Sequence, residues 1–391
     1  MNSPLPIVAT PTRPALLGPA HVDFDLTNAC NLFCSHCSVS SGKPMPAEAA
    51  TAEILGIIHQ LHELGVMSLT IAGGEPFIRP DIHEILETAC SLPGWQVTVI
   101  TNATFLTAEV VRRVADTCPG LAINVSVDGS TPVRFDYMRH GRRRTPQAQD
   151  ELFGSVLTGL ERTLTAGLDV EVNFTLSKAN RDDLLPTYRL VRAMGARRLI
   201  AIKFLPAGRG FAQRAEMEFD FATWADYLVE LTGLKAAGSI PGLSLSLPSA
   251  WEFYLPFKLA SLDLAEAARV WRYSAPLEDS WFSGHAGIGD SSGVTDLNVV
   301  SNGDVYPITL MSGIPAARCG NMRESVLEDI WNDSQVLQDL RGMTLADLPR
   351  TCQTCELGRT CGGGSRARAW ILSGRMDGPD AACPLLEAAG S

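Results

Sequence analysis

Cys30, Cys34 and Cys37 stand within eight residues, in the stretch DLTNACNLFCSHCSVSSG. Thiols this close together either pair as disulfides in an oxidising compartment or bind metal as thiolates. The chain has 391 residues, enough for a core that needs no disulfide staples. Its first residues, MNSPLPIVATPTRPALLGPA, lack the basic-then-apolar layout of a signal peptide. No apolar run approaches the ~20 residues of a membrane span. The expected location is cytoplasmic, where thiols stay reduced, so the cluster reads as metal ligands. Three thiolates are one short of the four that normally hold a [4Fe–4S] cluster, which would leave one iron open to another ligand. A zinc knuckle is the plainer alternative, but zinc favours Cys-x2-Cys pairs with a fourth donor nearby. His36, wedged between Cys34 and Cys37, is badly placed to be that donor.

A second group lies near the C-terminus. Cys352, Cys355, Cys361 and Cys383 are spaced Cys-x2-Cys-x5-Cys-x21-Cys, a full set of four that suits either an iron–sulfur cluster or a zinc ribbon. Cys319 is left over from both groups. Cys90 and Cys118, isolated in apolar surroundings, read as ordinary small core residues.

The remaining charge excludes some classes. Lys and Arg number 32 against 43 Asp and Glu, a net charge of −11 that argues against a nucleic-acid partner. One dense basic run, MRHGRRRTP at 138–146, reads as a solvated loop or as a holder for an anionic substrate. His59 and His62 lie off the apolar stripe of a helix and read as exposed. GRG at 208–210 reads as a plain turn or as a close approach to a ligand.

The elements that must position the first cysteines follow from periodicity. Strands are expected at 21–27, 68–72, 96–101, 121–127, 169–176 and 198–205, each rich in β-branched residues. Between them, apolar residues recur at helical spacing over 52–64, 150–166 and 184–194, each run stopped by a glycine. Alternating strand and helix predicts a parallel sheet, and six units predict an α/β fold, a partial (β/α)6 barrel of TIM type with chemistry at the C-terminal strand ends. The cysteine loop follows the first strand and falls at that end. The expected division is an N-terminal extension (1–20), the barrel (21–210), a helical connecting region (211–284) and a small cluster-binding module (285–391). A helix is expected over 221–236. Trp224, Trp251, Trp271 and Trp281 are expected to pack against the barrel. In the module, LNVVSNGDVYPI reads as a hairpin and 324–340 as a helix.

The ordered motifs resemble those of the radical S-adenosylmethionine (SAM) superfamily. CNLFCSHC matches its Cys-x3-Cys-x2-Cys signature. GGEP (73–76), TNA (101–103), SVDG (126–129) and NFT (173–175) follow or end successive strands in the family's order. The resemblance implies a [4Fe–4S] cluster on Cys30, Cys34 and Cys37 whose open iron is chelated by SAM, and reductive cleavage of SAM to a 5′-deoxyadenosyl radical that takes a hydrogen atom from a C–H bond. It implies that Phe33 flanks the adenine and that Gly73, Gly74, Glu75 and Pro76 lie at the methionyl amino group. Asn102 belongs to the same SAM-binding set, and Ser126, Asp128 and Asn173 are implied for the ribose or carboxylate. A reductant of flavodoxin or ferredoxin type is the implied partner.

The tail resembles the SPASM extension of such enzymes, with departures. Where the complete pattern has cysteines, this chain has Ile308 and Ser365. An inner auxiliary cluster is therefore expected to be missing and an outer [4Fe–4S] cluster kept on Cys352, Cys355, Cys361 and Cys383. Cys319 then has three readings: a packed relic, a cluster ligand, or a thiol that returns a hydrogen atom to the substrate. A non-enzymatic iron–sulfur carrier is disfavoured by the open iron and the intact GGEP. The expected substrate is a small polar natural-product intermediate of sugar, aminocyclitol or nucleoside type, oxidised or epimerised at carbon. The alternative is maturation of a ribosomally made peptide by crosslinking or epimerisation. Peptide maturases often carry a leader-binding domain, and only 20 residues precede the first strand here, so a separate leader-binding protein would be needed.

Overall fold

The computed structural model describes residues 16–273 and 289–387. All six expected strands form: β1 (His21–Thr27), β2 (Ser68–Gly73), β3 (Gln96–Thr101), β4 (Ala122–Ser126), β5 (Asp169–Leu176) and β6 (Arg198–Lys203). Each pairs in parallel with the next. Between them run α1 (Thr51–Glu63), α2 (Ile82–Ser91), α3 (Ala108–Thr117), α4 (Pro132–Met138), α5 (Pro146–Thr165) and α6 (Leu184–Ala193). α5 starts four residues before the expected 150, because Thr145 caps it by accepting from Ala148 N and Pro146 is pre-set for a first helical position.

Two parallel strands lie beyond the expected six. β7 (Leu243–Ser246) extends the sheet beside β6. β8 (Asp296–Val299) pairs in parallel with β1, placing a strand of the tail on the other side of the barrel sheet. β9 (Asp304–Tyr306) completes the expected hairpin with β8, and β10 (Gly320–Asn321) adds an outer edge. The order is β10-β9-β8-β1-β2-β3-β4-β5-β6-β7. Alternation along β1 buries Val22, Phe24 and Leu26 completely in the core and turns Asp25 to the other face.

The connecting region is built on the helices Phe221–Ala236 and Ala250–Leu259. Ala250 through Phe257 are all buried, so the second is a core helix, apolar apart from Glu252. Trp224, Trp251 and Trp271 are buried as expected. Trp281 lies outside the described residues. The helix expected over 324–340 is two, Leu327–Asp333 and Gln335–Gly342, because Ser334 between them takes an extended conformation (ψ 120°). Among the described residues no helix is long and apolar enough to cross a membrane.

Candidate active site

Cys30, Cys34 and Cys37 line one cavity of about 550 Å³ at the C-terminal ends of the parallel strands. Each sulfur is met by an N–H donor. Leu32 N donates to Cys30 Sγ (3.4 Å), Ser41 N to Cys37 Sγ (3.3 Å) and an Arg139 guanidinium nitrogen to Cys34 Sγ (3.7 Å). The Asn102 amide points at Cys30 Sγ from 3.9 Å. Burial above all, with Cys37, Cys30 and Asp128 nearby, pushes the Cys34 thiol up to about 12 against the pull of Arg139, and a bound metal would deprotonate it. No three His, Cys, Asp or Glu side chains among the described residues close around a single ion. A cubane, where each thiolate takes its own iron, asks for no such closure. His36 is engaged elsewhere: Nε2 lies 3.3 Å from Asp128 Oδ2, and burial lowers its pKa to about 4.

Gly73, Gly74, Asn102 and Ser126 line the same cavity, as the sequence led one to expect. The two glycines are needed for a further reason. A Cβ on Gly73, at φ +113°, would meet Thr27 O at 2.5 Å, and one on Gly74 would meet Ala29 O at 2.0 Å. The GGEP backbone is thus pressed onto the chain that leads into the cysteine loop. GRG does likewise from the other side: a Cβ on Gly208 would meet Ser38 O at 2.2 Å, and Arg209 N donates to Cys37 O (2.9 Å). This segment clamps the loop, which is neither of its expected roles.

Four expected contacts meet other partners in the structure, and a fifth, Asn173, keeps a free acceptor. Glu75 is fully buried and its oxygens are occupied, Oε1 by Thr101 Oγ1 (2.7 Å) and Phe77 N (3.2 Å), Oε2 by Asn102 N (2.8 Å). With these three donors it ties the end of β3 to the GGEP turn, and burial raises its pKa to about 7. Pro76 is buried at the start of the turn Pro76–Ile78. Asp128 pairs with Arg139 and accepts from Thr175 N (2.5 Å), so it orients the guanidinium that faces the cavity. Phe33 lies outside the cavity lining, stacked on His140 with ring centroids 6.5 Å apart. Asn173 is buried beside its register partner Ser126, also outside the lining, and its Oδ1 has no hydrogen-bond partner.

Apart from the cysteines, the ionisable side chains lining the cavity are Asp25, His36, Arg139, Lys203 and Asp290. His36 and Arg139 meet Asp128. Lys203 meets Glu252 (2.5 Å), and Asp290 accepts from Arg366 N (2.5 Å) and Ser292 N (2.8 Å). Asp25, 6 % exposed, has among the described residues one donor, the Asn298 amide at 3.2 Å. Burial and the neighbouring Asp23 raise its pKa to about 7. Neither Asp25 nor Lys203 stood out in the sequence, where each is one polar residue in an alternating strand. Arg139 was visible only as part of the basic run.

The four tail cysteines also converge. Cys352, Cys355, Cys361 and Cys383 line a small pocket with Trp251, Leu357, Leu385, Leu386 and Asp380. A buried charge chain joins it to the larger cavity. Glu252 Oε1, bonded to Lys203, lies 3.1 Å from Arg368, and Arg368 meets both oxygens of Asp380 at 2.6 and 2.7 Å. Ser365 and Ile308, the two departures from the complete pattern, both line the larger cavity. Cys319 lines neither. Its thiol donates to Ala317 O (3.5 Å) beside the edge strand β10. Cys90 and Cys118 are packed in the core, and their thiols are hydrogen-bonded to each other.

Residues 24–191 match the Radical SAM superfamily and residues 292–356 match SPASM, an iron–sulfur cluster-binding domain. An AdoMet-dependent heme synthase of Methanosarcina barkeri is 28 % identical over 364 residues, 91 % of this chain and 93 % of that protein. A PqqA peptide cyclase of Rhizobium meliloti is 26 % identical over 381 residues, 95 % of this chain and 88 % of that one. The crystal structure of Streptococcus suis SuiB bound to its precursor peptide SuiA shares the fold, with a TM-score of 0.72 at 18 % identity, covering 95 % of this chain and 77 % of that one. The chain thus carries a Radical SAM domain and, toward its C-terminal end, a SPASM domain, which together imply SAM, a [4Fe–4S] cluster with three cysteine ligands and an auxiliary cluster.

Proposed function

We propose that this enzyme matures a ribosomally made peptide, forming a crosslink or inverting a centre at carbon. The relation to a PqqA peptide cyclase over nearly the whole chain is the observation that carries this reading. The cavity of about 550 Å³ opens at the strand ends, where a segment of peptide can present one side chain to it. The sugar-type substrate expected from the sequence has no comparable support among the relatives named above.

When bound, the cluster and SAM supply a reductive cleavage that yields a hydrogen-abstracting radical. The chain's own residues position that chemistry. Cys30, Cys34 and Cys37 hold the cluster. Arg139, fixed by Asp128, and Asn102 donate to its sulfurs. The Gly73 and Gly74 backbone, with Ser126, flanks SAM, and the unpartnered Asn173 Oδ1 is suited to a ribose hydroxyl. Asp25, without a charge partner, faces the reacting group of the substrate. Cys352, Cys355, Cys361 and Cys383 hold the auxiliary cluster.

The test is direct. Anaerobically reconstituted, reduced enzyme is incubated with SAM and with short peptides encoded beside its gene. A peptide substrate raises 5′-deoxyadenosine formation and changes the mass or stereochemistry of the peptide. Stimulation by a sugar or a tetrapyrrole, and by no such peptide, would overturn the reading.

A further inference from the structure

The cysteine loop has an outer wall as well as the one facing the cavity, and the outer wall is cationic. Two segments cover it. The first is the basic run: His140 O accepts from Phe33 N (2.8 Å) and Met138 O from Ser35 N (2.9 Å). The second is the turn Gly208–Gln213, whose Arg209 guanidinium donates to Cys34 O (3.0 Å) and to Ser41 O. Between them stands the half-buried Phe33, with the guanidinium carbons of Arg142 and Arg209 at 6.0 and 5.9 Å from its ring centroid. Phe211, 47 % exposed, adds apolar surface two residues beyond Arg209.

The charges of the basic run divide by direction. Arg139 turns inward to Asp128 and the cavity, and Arg144 pairs with Asp136 (2.8 Å). Arg142 and Arg143 are exposed, line no cavity, and enter no ion pair among the described residues. An anionic substrate inside the cavity would not meet them. A chain of net charge −11 thus keeps two exposed arginines without ion-pair partners among the described residues beside the cysteine loop, one of which, Arg142, lies over Phe33, the neighbour of the cluster ligand Cys34.

We propose that this face docks an acidic protein carrying a one-electron donor, a reduced flavin or iron–sulfur centre. Electron-transfer encounters are small and weak, and opposite charges steer them. The donor centre is oxidised by one electron and the cluster on Cys30, Cys34 and Cys37 is reduced by one; no bond is made or broken and no proton moves. Arg142 and Arg143 act on association and leave the cavity untouched. The inference rests on the superfamily assignment and is independent of the substrate class.

The experiment uses reconstituted enzyme with a bacterial flavodoxin and a bacterial ferredoxin as probes. Association is measured calorimetrically over a series of salt concentrations, alongside the rate of cluster reduction. Arg142→Glu/Arg143→Glu is expected to weaken association about tenfold or more at low ionic strength and to flatten its salt dependence. Arg142→Gln/Arg143→Gln is expected to do the same by a smaller factor, should the reversed charges disturb folding. Arg189→Glu/Arg197→Glu makes the same change in net charge away from the loop, Arg197 standing just before β6 at the opposite end of the sheet; its association is expected within about twofold of wild type. Iron content and reduction by dithionite, a small donor that needs no docking face, serve as integrity controls. Three results would overturn the proposal: unchanged association in both loop variants, an equal loss in the distant control, or no association of wild type with either donor protein.

Discussion

At the mouth of the sheet, three thiols share about 550 Å³ with glycine backbone and polar side chains; in the tail, four thiols share a small pocket with Trp251, Leu357, Leu385 and Leu386. With the implied clusters bound, the first arrangement would leave an iron and a volume for a ligand. The second would supply one thiolate per iron, which suits an electron relay or a brace. The two are also held differently. The first hangs on neutral and charge-assisted hydrogen bonds from strand-end loops, with Glu75, Asp128 and Arg209 as the ties. The second is pinned by a buried ion network, Glu252–Arg368–Asp380, in which all three side chains are at most 1 % exposed. Both sites thus rest on buried charge, the Asp128–Arg139 pair at the first and the network at the second, but the first also hangs on loops at the strand ends.

The largest expected effect separates the two sites by function. Replacing Cys30, Cys34 and Cys37 together by Ala should halve the iron from about eight atoms per chain to about four and abolish SAM cleavage. Cys361→Ala should also remove about four irons while slow SAM cleavage persists. Iron analysis with chromatography of 5′-deoxyadenosine reads both. Loss of cleavage in both variants would break the division, making the tail essential to the first site.

Next in size is the test of how the tail is held. Asp380 is kept well below the usual carboxylate range, chiefly by Arg368 acting against burial. Asp380→Asn leaves Arg368 buried with half its counter-charge. Removing one partner of such a pair costs about 3–5 kcal/mol. The tail cluster should be lost on mild heating, with an earlier loss of its visible absorption than in wild type. A variant that keeps its cluster through the wild-type melting range would mean that the cysteines, not the ions, hold the tail.

The contrast between the sites also explains what could be read beforehand. The six central strands were legible because each is a β-branched run closed by a turn. β7, the four residues LSLS, has no β-branched residue and too little length to stand out. β8 was legible as half of a hairpin, but its pairing with β1, some 275 residues earlier, has no local signal. In the site, Cys30, Cys34 and Cys37 stood out through spacing and strand-end position, while Gly73, Gly74, Asn102 and Ser126, which line the same cavity, stood out only through the resemblance. Glu75 and Asp128 have protein partners that the motifs did not show, because a motif does not say whether a carboxylate faces the ligand or the loop behind it. Asp25 was invisible, since what sets it apart is the lack of a charge partner in three dimensions.

Asp25 offers a smaller test, confined to the larger cavity. Its pKa is about 7 in the folded protein against the ordinary 3.8. Between those values the native state keeps a proton that the unfolded chain has lost. The contribution of Asp25 to stability therefore falls as pH rises from about 4 to 7 and is level above that. Asp25→Asn removes the titration and keeps an oxygen for the Asn298 amide. Relative to wild type, the variant should gain on the order of 1–3 kcal/mol between pH 4 and pH 8. Melting temperatures at pH 5 and pH 8, on protein in the same cluster state, read the difference. A constant offset between variant and wild type would mean that another group neutralises Asp25.

The smallest effect is expected at Cys319, which tests whether the two sites account for every working thiol. A cluster ligand must line one of the two cavities, and a hydrogen donor must reach the larger one. Cys319 does neither. It is held at the sheet edge by its backbone N–H to Val305 O (2.7 Å), with its thiol on Ala317 O and burial pushing it up to about 12. Of its three readings, the packed relic is the one this position supports. Cys319→Ala should keep all the iron, keep SAM cleavage and product, and lose about 1 kcal/mol or less, as expected for trimming a half-buried side chain. Iron loss would restore the ligand reading and mean that the tail rearranges around its cluster. Normal 5′-deoxyadenosine with a missing inverted product would restore the donor reading, and would require β10 to move toward the cavity during turnover.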